Sequence, residues 1–353
     1  MTENTDPLLP IENHRFIGHA KVEAALLEAC RSHHLHHSLI FAGPKGIGKA
    51  TLAYRLARRL LKPEEDGLLG LEPEGAYNFD ISPEDPVFRQ VAAGGHPSLK
   101  LVERARNADS GKIARDITVA DIRALSDFYR KTSVAGSWRI AIVDPAEAMN
   151  QNAANALLKI LEEPPERCVI ILISHASGRL LPTIRSRCHF VQLSALSALE
   201  MATALDALGI SVGGADIELL TALSDGSIGD ASRIVQMDGL ALYRDIQALM
   251  ARRGATFDRD LDSFCDRMTK KGQEETFDLF TRLMERSISD HIVEMGRAGS
   301  AAKPGGELDR WLDVWEKVRV LFAQASGLGL DRKHVILNAF LHVSGAATST
   351  QER

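Results

Sequence analysis

Residues 43–51 read Gly43-Pro44-Lys45-Gly46-Ile47-Gly48-Lys49-Ala50-Thr51, a spacing of glycines and lysine that can cradle phosphate. The glycines let the chain curl so that amide N–H groups face inward. The helix that follows adds its partial positive charge, and Lys49 reaches the terminal phosphates of a nucleotide. The chemistry served by such a loop is phosphoryl transfer. It also needs a hydroxyl directly after the lysine to ligate magnesium, and an acidic pair on a neighbouring strand. Both are altered here. Ala50 follows the lysine, and Thr51 is displaced by about 100° around the helix. A second strand pattern delivers Asp144, but Pro145 stands where the water-activating carboxylate belongs, with Glu147 two residues beyond. The candidate nucleotide-contacting residues are therefore Gly43, Gly46, Gly48, Lys49, Thr51 and Asp144, with magnesium ligation weakened or lost. These residues leave open whether the loop holds ATP or ADP weakly or only keeps the shape of a site that did.

A loop of this kind needs a parallel sheet to aim it. Short β-branched and aliphatic runs at 38–42, 98–103, 139–144, 168–174 and 189–193 alternate with helical patterns, the mark of strands covered by helices. Ala153, Ala156, Leu157, Ile160 and Leu161 recur at three- and four-residue spacing and predict a helix over 152–163, stopped by Pro164 and Pro165. The fold class is α/β over residues 1–193. After Leu193 strand patterns vanish, and glycine clusters at 213–214, 226–230 and 299–306 punctuate helical sequence. A small helical domain over 194–240 and a larger all-α domain over 241–353 are expected. In the latter, Leu308, Trp311, Leu312, Trp315, Val318 and Phe322 are expected to form one broad apolar face, serving the core or a subunit contact. The stretch 63–86 carries eight acidic residues, no basic ones and four prolines, and is expected to be an exposed insertion.

The bulk numbers exclude several function classes. With 353 residues, 45% hydrophobic and 25% charged, the chain suits a soluble protein of two or three domains. A net charge of -5 argues against coating nucleic acid by charge alone. Cys30, Cys168, Cys188 and Cys265 are too scattered for a zinc site. His33, His34, His36 and His37 are read as a solvated helix end rather than a metal cluster. Residues 1–10 lack a basic region followed by an apolar run, and no stretch is long and apolar enough to cross a membrane, so a cytoplasmic location is expected.

The block from His36 to Lys49 resembles the entry to the ATPase domains of bacterial clamp loaders. The match is stronger over Asn152-Ala153-Ala154-Asn155-Ala156-Leu157-Leu158-Lys159-Ile160-Leu161-Glu162-Glu163-Pro164-Pro165 and over Ser186-Arg187-Cys188. The chain is thereby similar to the clamp-loader AAA+ family of DNA polymerase III, in motifs from about residue 10 to 240. That resemblance implies a phosphate-loop AAA+ domain, a helical lid and an all-α collar that assembles subunits into a ring. In the family's motor subunits, a Gly-Ser-x-Arg-Asp helix opening supplies a nucleotide-sensing arginine. Here the opening is Gly226-Ser227-Ile228-Gly229-Asp230, so Gly229 is a third loss after Ala50 and Pro145. Three losses imply the family's non-hydrolysing stator rather than a motor using Thr51 and Glu147, and rather than a small-molecule kinase. Arg187 is implied to be an arginine finger entering a neighbour's ATP site. The implied partners are gamma/tau motor subunits, a delta subunit, the sliding clamp and primed DNA, within a DNA-directed DNA polymerase holoenzyme. Many relatives carry four zinc-binding cysteines between the first helix and second strand of the domain. Here the acidic stretch 63–86 takes their place, so no zinc is expected.

Overall fold

A computed structural model describes residues 9–63, 78–106, 111–130, 137–251, 259–270, 272, 274–297, 306–328 and 330–348. Residues 64–77, the greater part of the expected acidic insertion, lie outside them. The chain divides into two compact units. One comprises Met1–Gly213 with Ser224–Asp230, and the other Gly214–Leu223 with Ala231–Arg353.

The first unit is a five-stranded, all-parallel sheet of β1 (Ser38–Ala42), β2 (Leu99–Val102), β3 (Arg139–Val143), β4 (Cys168–Ser174) and β5 (His189–Gln192). The spatial order is β2-β3-β4-β1-β5, so the chain crosses from one side of β1 to the other before the fifth strand. This is the parallel α/β sheet expected from the sequence. β1 and β3 are buried along their whole length, and β4 also, as strands covered on both faces must be. Alternate residues of these strands build two cores. Leu39, Phe41, Ile140, Ile142, Ile171 and Ile173 face α1 (Ala20–Arg31) and α2 (Lys49–Leu61). With α3 (Pro86–Ala92) placed next in the chain, Ile40, Ala42, Ala141, Val143, Ile170 and Leu172 face α4 (Val119–Arg130) and α5 (Gln151–Glu162) on the other side. Asn150 caps α5 by accepting from the Ala153 N–H at 2.9 Å, and Glu163 ends it before the paired prolines. The short α6 (Pro182–Arg185) precedes β5, and α7 (Ala198–Ala207) follows behind a capping box of Ser197 and Glu200.

Helix α2 is buried nearly all round, arginines included. Arg58 is 1% exposed, stacks 4.2 Å over the Phe88 ring, and donates to the carbonyl of Asn13 at 2.7 Å. Arg55 bridges Glu23 at 2.6 Å and Asp80 at 2.8 Å. These contacts fasten the segment before α1 and the segment before α3 to the helix that carries Lys49.

The second unit holds α8 (Gly214–Leu223), most of α9 (Ile228–Gln236), α10 (Gly239–Met250), α11 (Arg259–Met268), α12 (Glu274–Arg297), α13 (Glu307–Leu328) and α14 (Arg332–Thr348). Its core is aromatic, with Phe264 edge-on to Phe340 at 5.9 Å and Phe280 edge-on to Phe322 at 5.9 Å. On α13, Trp311, Val318 and Phe322 are buried, whereas Leu312 is 44% exposed. Of the six apolar positions expected on one face, Leu312 at its margin is the one left exposed, because it is turned about 100° from Trp311. No described helix is long and apolar enough to cross a membrane.

Candidate functional site

The carboxyl ends of β1, β3 and β4 converge, as a parallel sheet with a crossover requires. The loop after β1 leads directly into α2. Gly43, Gly46 and Gly48 all have φ in the left-handed range, at 146°, 78° and 99°. These are conformations glycine adopts without a Cβ penalty. β3 delivers Asp144, and the single turn Ala146–Ala148 returns Glu147 to the same sheet end. There the Glu147 Oε1 accepts the backbone N–H of His175 at 2.9 Å. His175 in turn stands just past β4, with its Nε2 4.0 Å from the Asp144 Oδ1.

The ammonium of Lys49 turns back into its own loop. It donates to the carbonyl of Gly43 at 2.7 Å and to that of Pro44, and the side chain is buried. Burial pulls this ammonium down to about 8, against the opposing pull of Asp144 and Glu147. Burial likewise pushes the Asp144 carboxyl up to about 6, which Lys49 partly offsets and Glu147 reinforces. His175 is lowered, first by burial and then by Lys49. The cluster is therefore a set of half-desolvated, mutually dependent charges.

Stability should record both shifts. Between pH 3.8 and about 6 the native chain keeps an Asp144 proton that the unfolded chain has lost, so stability falls as pH rises through that window. Between about 8 and 10.5 the unfolded chain keeps the Lys49 proton that the native chain has lost, so stability rises. Relative to Asp144→Asn and Lys49→Met, the parent's urea-unfolding stability across pH should carry a trough near neutrality, about 1–2 kcal/mol deep after allowance for partial solvent screening, because the lowered histidines act alike in all three chains. Asp144→Asn should remove its acidic wall and Lys49→Met its alkaline wall. Variant curves that run parallel to the parent's across both windows would contradict the cluster.

The sequence-derived residues do not all meet. Thr51 lines a recess of about 60 Å³ with Arg15, Phe16, Gly48, Ala207 and Ile228, a lining that does not include Asp144. The opposite side of the loop is occupied as well. The Gly229 N–H donates to the Gly46 carbonyl at 3.1 Å, and a Cβ on Gly46 would stand 2.2 Å from the Ser227 Oγ. A Cβ on Gly229 would lie 3.4 Å from the Gly46 Cα, so a side chain there must run along the loop backbone. The set does not fit a magnesium-bound nucleotide as it stands. Ala50 offers no hydroxyl, and the Lys49 ammonium is taken by loop carbonyls.

Glu147 and His175 were the least legible members. The direction of Glu147 past Pro145 was open, and His175 carried no motif. Its signal was positional, a polar residue ending the buried strand that lies between β1 and β3. Among the described residues no group of three or more His, Cys, Asp or Glu is placed to hold a metal ion. His36 and His37 stack at 4.4 Å, and His37 contacts the Leu161 carbonyl at 3.2 Å.

Arg187 lies apart from this cluster, two residues beyond α6. Its Nη2 pairs with the Glu162 Oε1 at 2.8 Å, and its Nη1 donates to the Thr183 carbonyl at 3.1 Å. The side chain is 37% exposed.

Residues 18–197, just over half of the chain, match the family described as DNA polymerase III, delta subunit. A DNA polymerase III subunit delta' from Pseudomonas aeruginosa is 40% identical over 160 residues, covering 45% of this chain and 43% of that protein. A DNA polymerase III subunit gamma/tau from Mycobacterium bovis is 26% identical over 303 residues, covering 84% of this chain and 45% of that protein. The matched stretch thus spans less than half the length of either relative. Among solved structures, a DNA polymerase III gamma subunit-related protein from Thermotoga maritima covers 91% of this chain and 99% of that chain at 19% identity, with a TM-score of 0.43.

Proposed function

This chain belongs to the DNA polymerase III delta-subunit family, and from that premise we propose that it is the delta-prime subunit of a bacterial clamp loader. In this reading it is a stator. It closes one end of a ring of gamma/tau motors and a delta subunit, helps load the sliding clamp on primed DNA, and lends Arg187 to the ATP site next door. Residues 1–193 serve as the AAA+ domain, 194–240 as the lid and 241–353 as the collar. It needs no nucleotide and no zinc of its own. Any DNA contact goes to phosphates through backbone amides and scattered basic side chains rather than to base edges.

One observation carries the reading. The phosphate loop is satisfied from within, its lysine on the carbonyls of Gly43 and Pro44 and its Gly46 carbonyl on the Gly229 N–H. A motor that recruits Thr51 and Glu147 would need both beside Asp144; Glu147 is held on the His175 backbone, and Thr51 lines the recess with Phe16 and Ile228. Steady-state hydrolysis provides the test. The isolated chain should turn over no ATP above background, while clamp- and DNA-stimulated ATPase of the reconstituted complex should require it. Turnover by the isolated chain at a motor's rate would exclude the stator.

A further inference from the structure

We infer that Glu162 is the positioning residue for Arg187, holding the guanidinium aimed before a neighbour's nucleotide arrives. The inference rests on the finger reading above. Glu162 is the last residue of α5, next to Glu163 and ahead of two prolines. A carboxylate at a helix carboxyl end opposes the helix dipole, so its own helix gives it no reason to be there. Its partner is Arg187, 25 residues along the chain, which meets the Glu162 Oε1 with Nη2 at 2.8 Å.

Both sides of this contact sit on anchored backbone. α5 is fixed by Ile160 and Leu161 in the core and by the contact between His37 and the Leu161 carbonyl. α6 is fixed by the fully buried Ile184, whose carbonyl accepts the Arg187 N–H at 3.1 Å. The Thr183 carbonyl accepts from Nη1 at 3.1 Å, so Glu162 and Thr183 together define the plane of the guanidinium. A guanidinium has five N–H donors. Two are used here, and the others have no partner among the described residues, which leaves an edge for an incoming phosphate. An unrestrained arginine must lose its rotamer freedom at the moment of reaction. One held in place has already done so, and this lowers the barrier rather than the affinity.

The test compares Glu162→Ala, Glu162→Gln and Arg187→Ala full-length chains in the reconstituted complex. It reads kcat and KM for clamp- and DNA-stimulated ATP hydrolysis, with assembly by size exclusion and the melting temperature of each chain. Glu162→Ala should lower the Arg187-dependent part of kcat about fivefold, the upper end of what an exposed pair is worth. The KM for ATP should not change. Glu162→Gln, which keeps an acceptor oxygen, should recover most of the loss. Adding Glu162→Ala to Arg187→Ala should change nothing further, because the two act as one unit.

An equal loss in the Arg187→Ala background would mark a merely structural effect and overturn the inference. So would an unchanged rate, or a rise, which would mean that Glu162 restrains the finger. In each of those cases Arg187→Ala still slows the complex, so the finger reading survives. If Arg187→Ala leaves the rate unchanged, the finger reading fails and the inference falls with it.

Discussion

Arg187→Ala is expected to lower ATP turnover at the neighbouring subunit's site by about a thousandfold while the complex still assembles. Phosphoryl transfer asks little covalent chemistry of a protein. Most of the rate comes from charge placed on the transferring group, and an arginine supplied across an interface contributes roughly 10³ or more. The residue's contacts within its own chain are an exposed pair with Glu162 and one backbone carbonyl. Such contacts are worth at most about 1 kcal/mol, so the variant should melt within a few degrees of the parent. Arg187→Lys keeps the charge but not the planar fork, and should restore only a small part of the rate. The quantity to follow is the single-turnover rate at that one site, because the other sites of a ring continue to work. A rate within twofold of the parent would remove Arg187 from the reaction.

The second large effect is on stability. Gly43→Ala should destabilise the first unit by about 3 kcal/mol, the range for a backbone position that cannot relax. Gly43 has φ 146°, and a Cβ built there lies 2.3 Å from the carbonyl oxygen of Leu193 and 2.8 Å from the Cδ1 of Ile47. The obstructing atom is backbone, and Leu193 is itself held by its N–H on the Ala42 carbonyl at 2.8 Å. Retreat would pull β5 from the sheet. Gly94→Ala is the matched control. Gly94 also has positive φ, at 67°, but nothing stands within 4 Å of a Cβ there, so only the conformational cost of about 1 kcal/mol is expected. Urea midpoints for the transition of this unit would separate the two variants. Equal midpoints would show that the loop glycine is kept for phosphate alone rather than for packing.

The route from sequence to site was uneven, and the reasons lie in particular residues. The five strands stand within one residue of their expected ends, because buried parallel strands read as continuous aliphatic runs between glycines and prolines. Residues 152–163 were legible as a helix for the same kind of local reason, an apolar period and a proline stop. Leu312 failed because a periodic pattern cannot say how wide a helix face will be covered. Arg55 and Arg58 gave no sign of burial, since an arginine on an amphipathic helix is ordinarily at the surface. Their partners, Glu23, Asp80, Asn13 and the Phe88 ring, come from segments the sequence does not place beside α2.

By itself the sequence determined the alternation of strands and helices, the loop from Gly43 to Lys49, and the replacement of its chemical partners by Ala50, Pro145 and Gly229. Each of these is written in neighbouring residues, where spacing, turn chemistry and the presence or absence of a functional group decide the outcome. Only the tertiary structure decided where the remaining charges go. Lys49 turned to its own loop, Glu147 came back to the His175 backbone, Gly229 closed on Gly46, and Arg187 met Glu162. The strand order brings the ends of β1, β3 and β4 together, although Lys45 and His175 lie 130 positions apart in the chain.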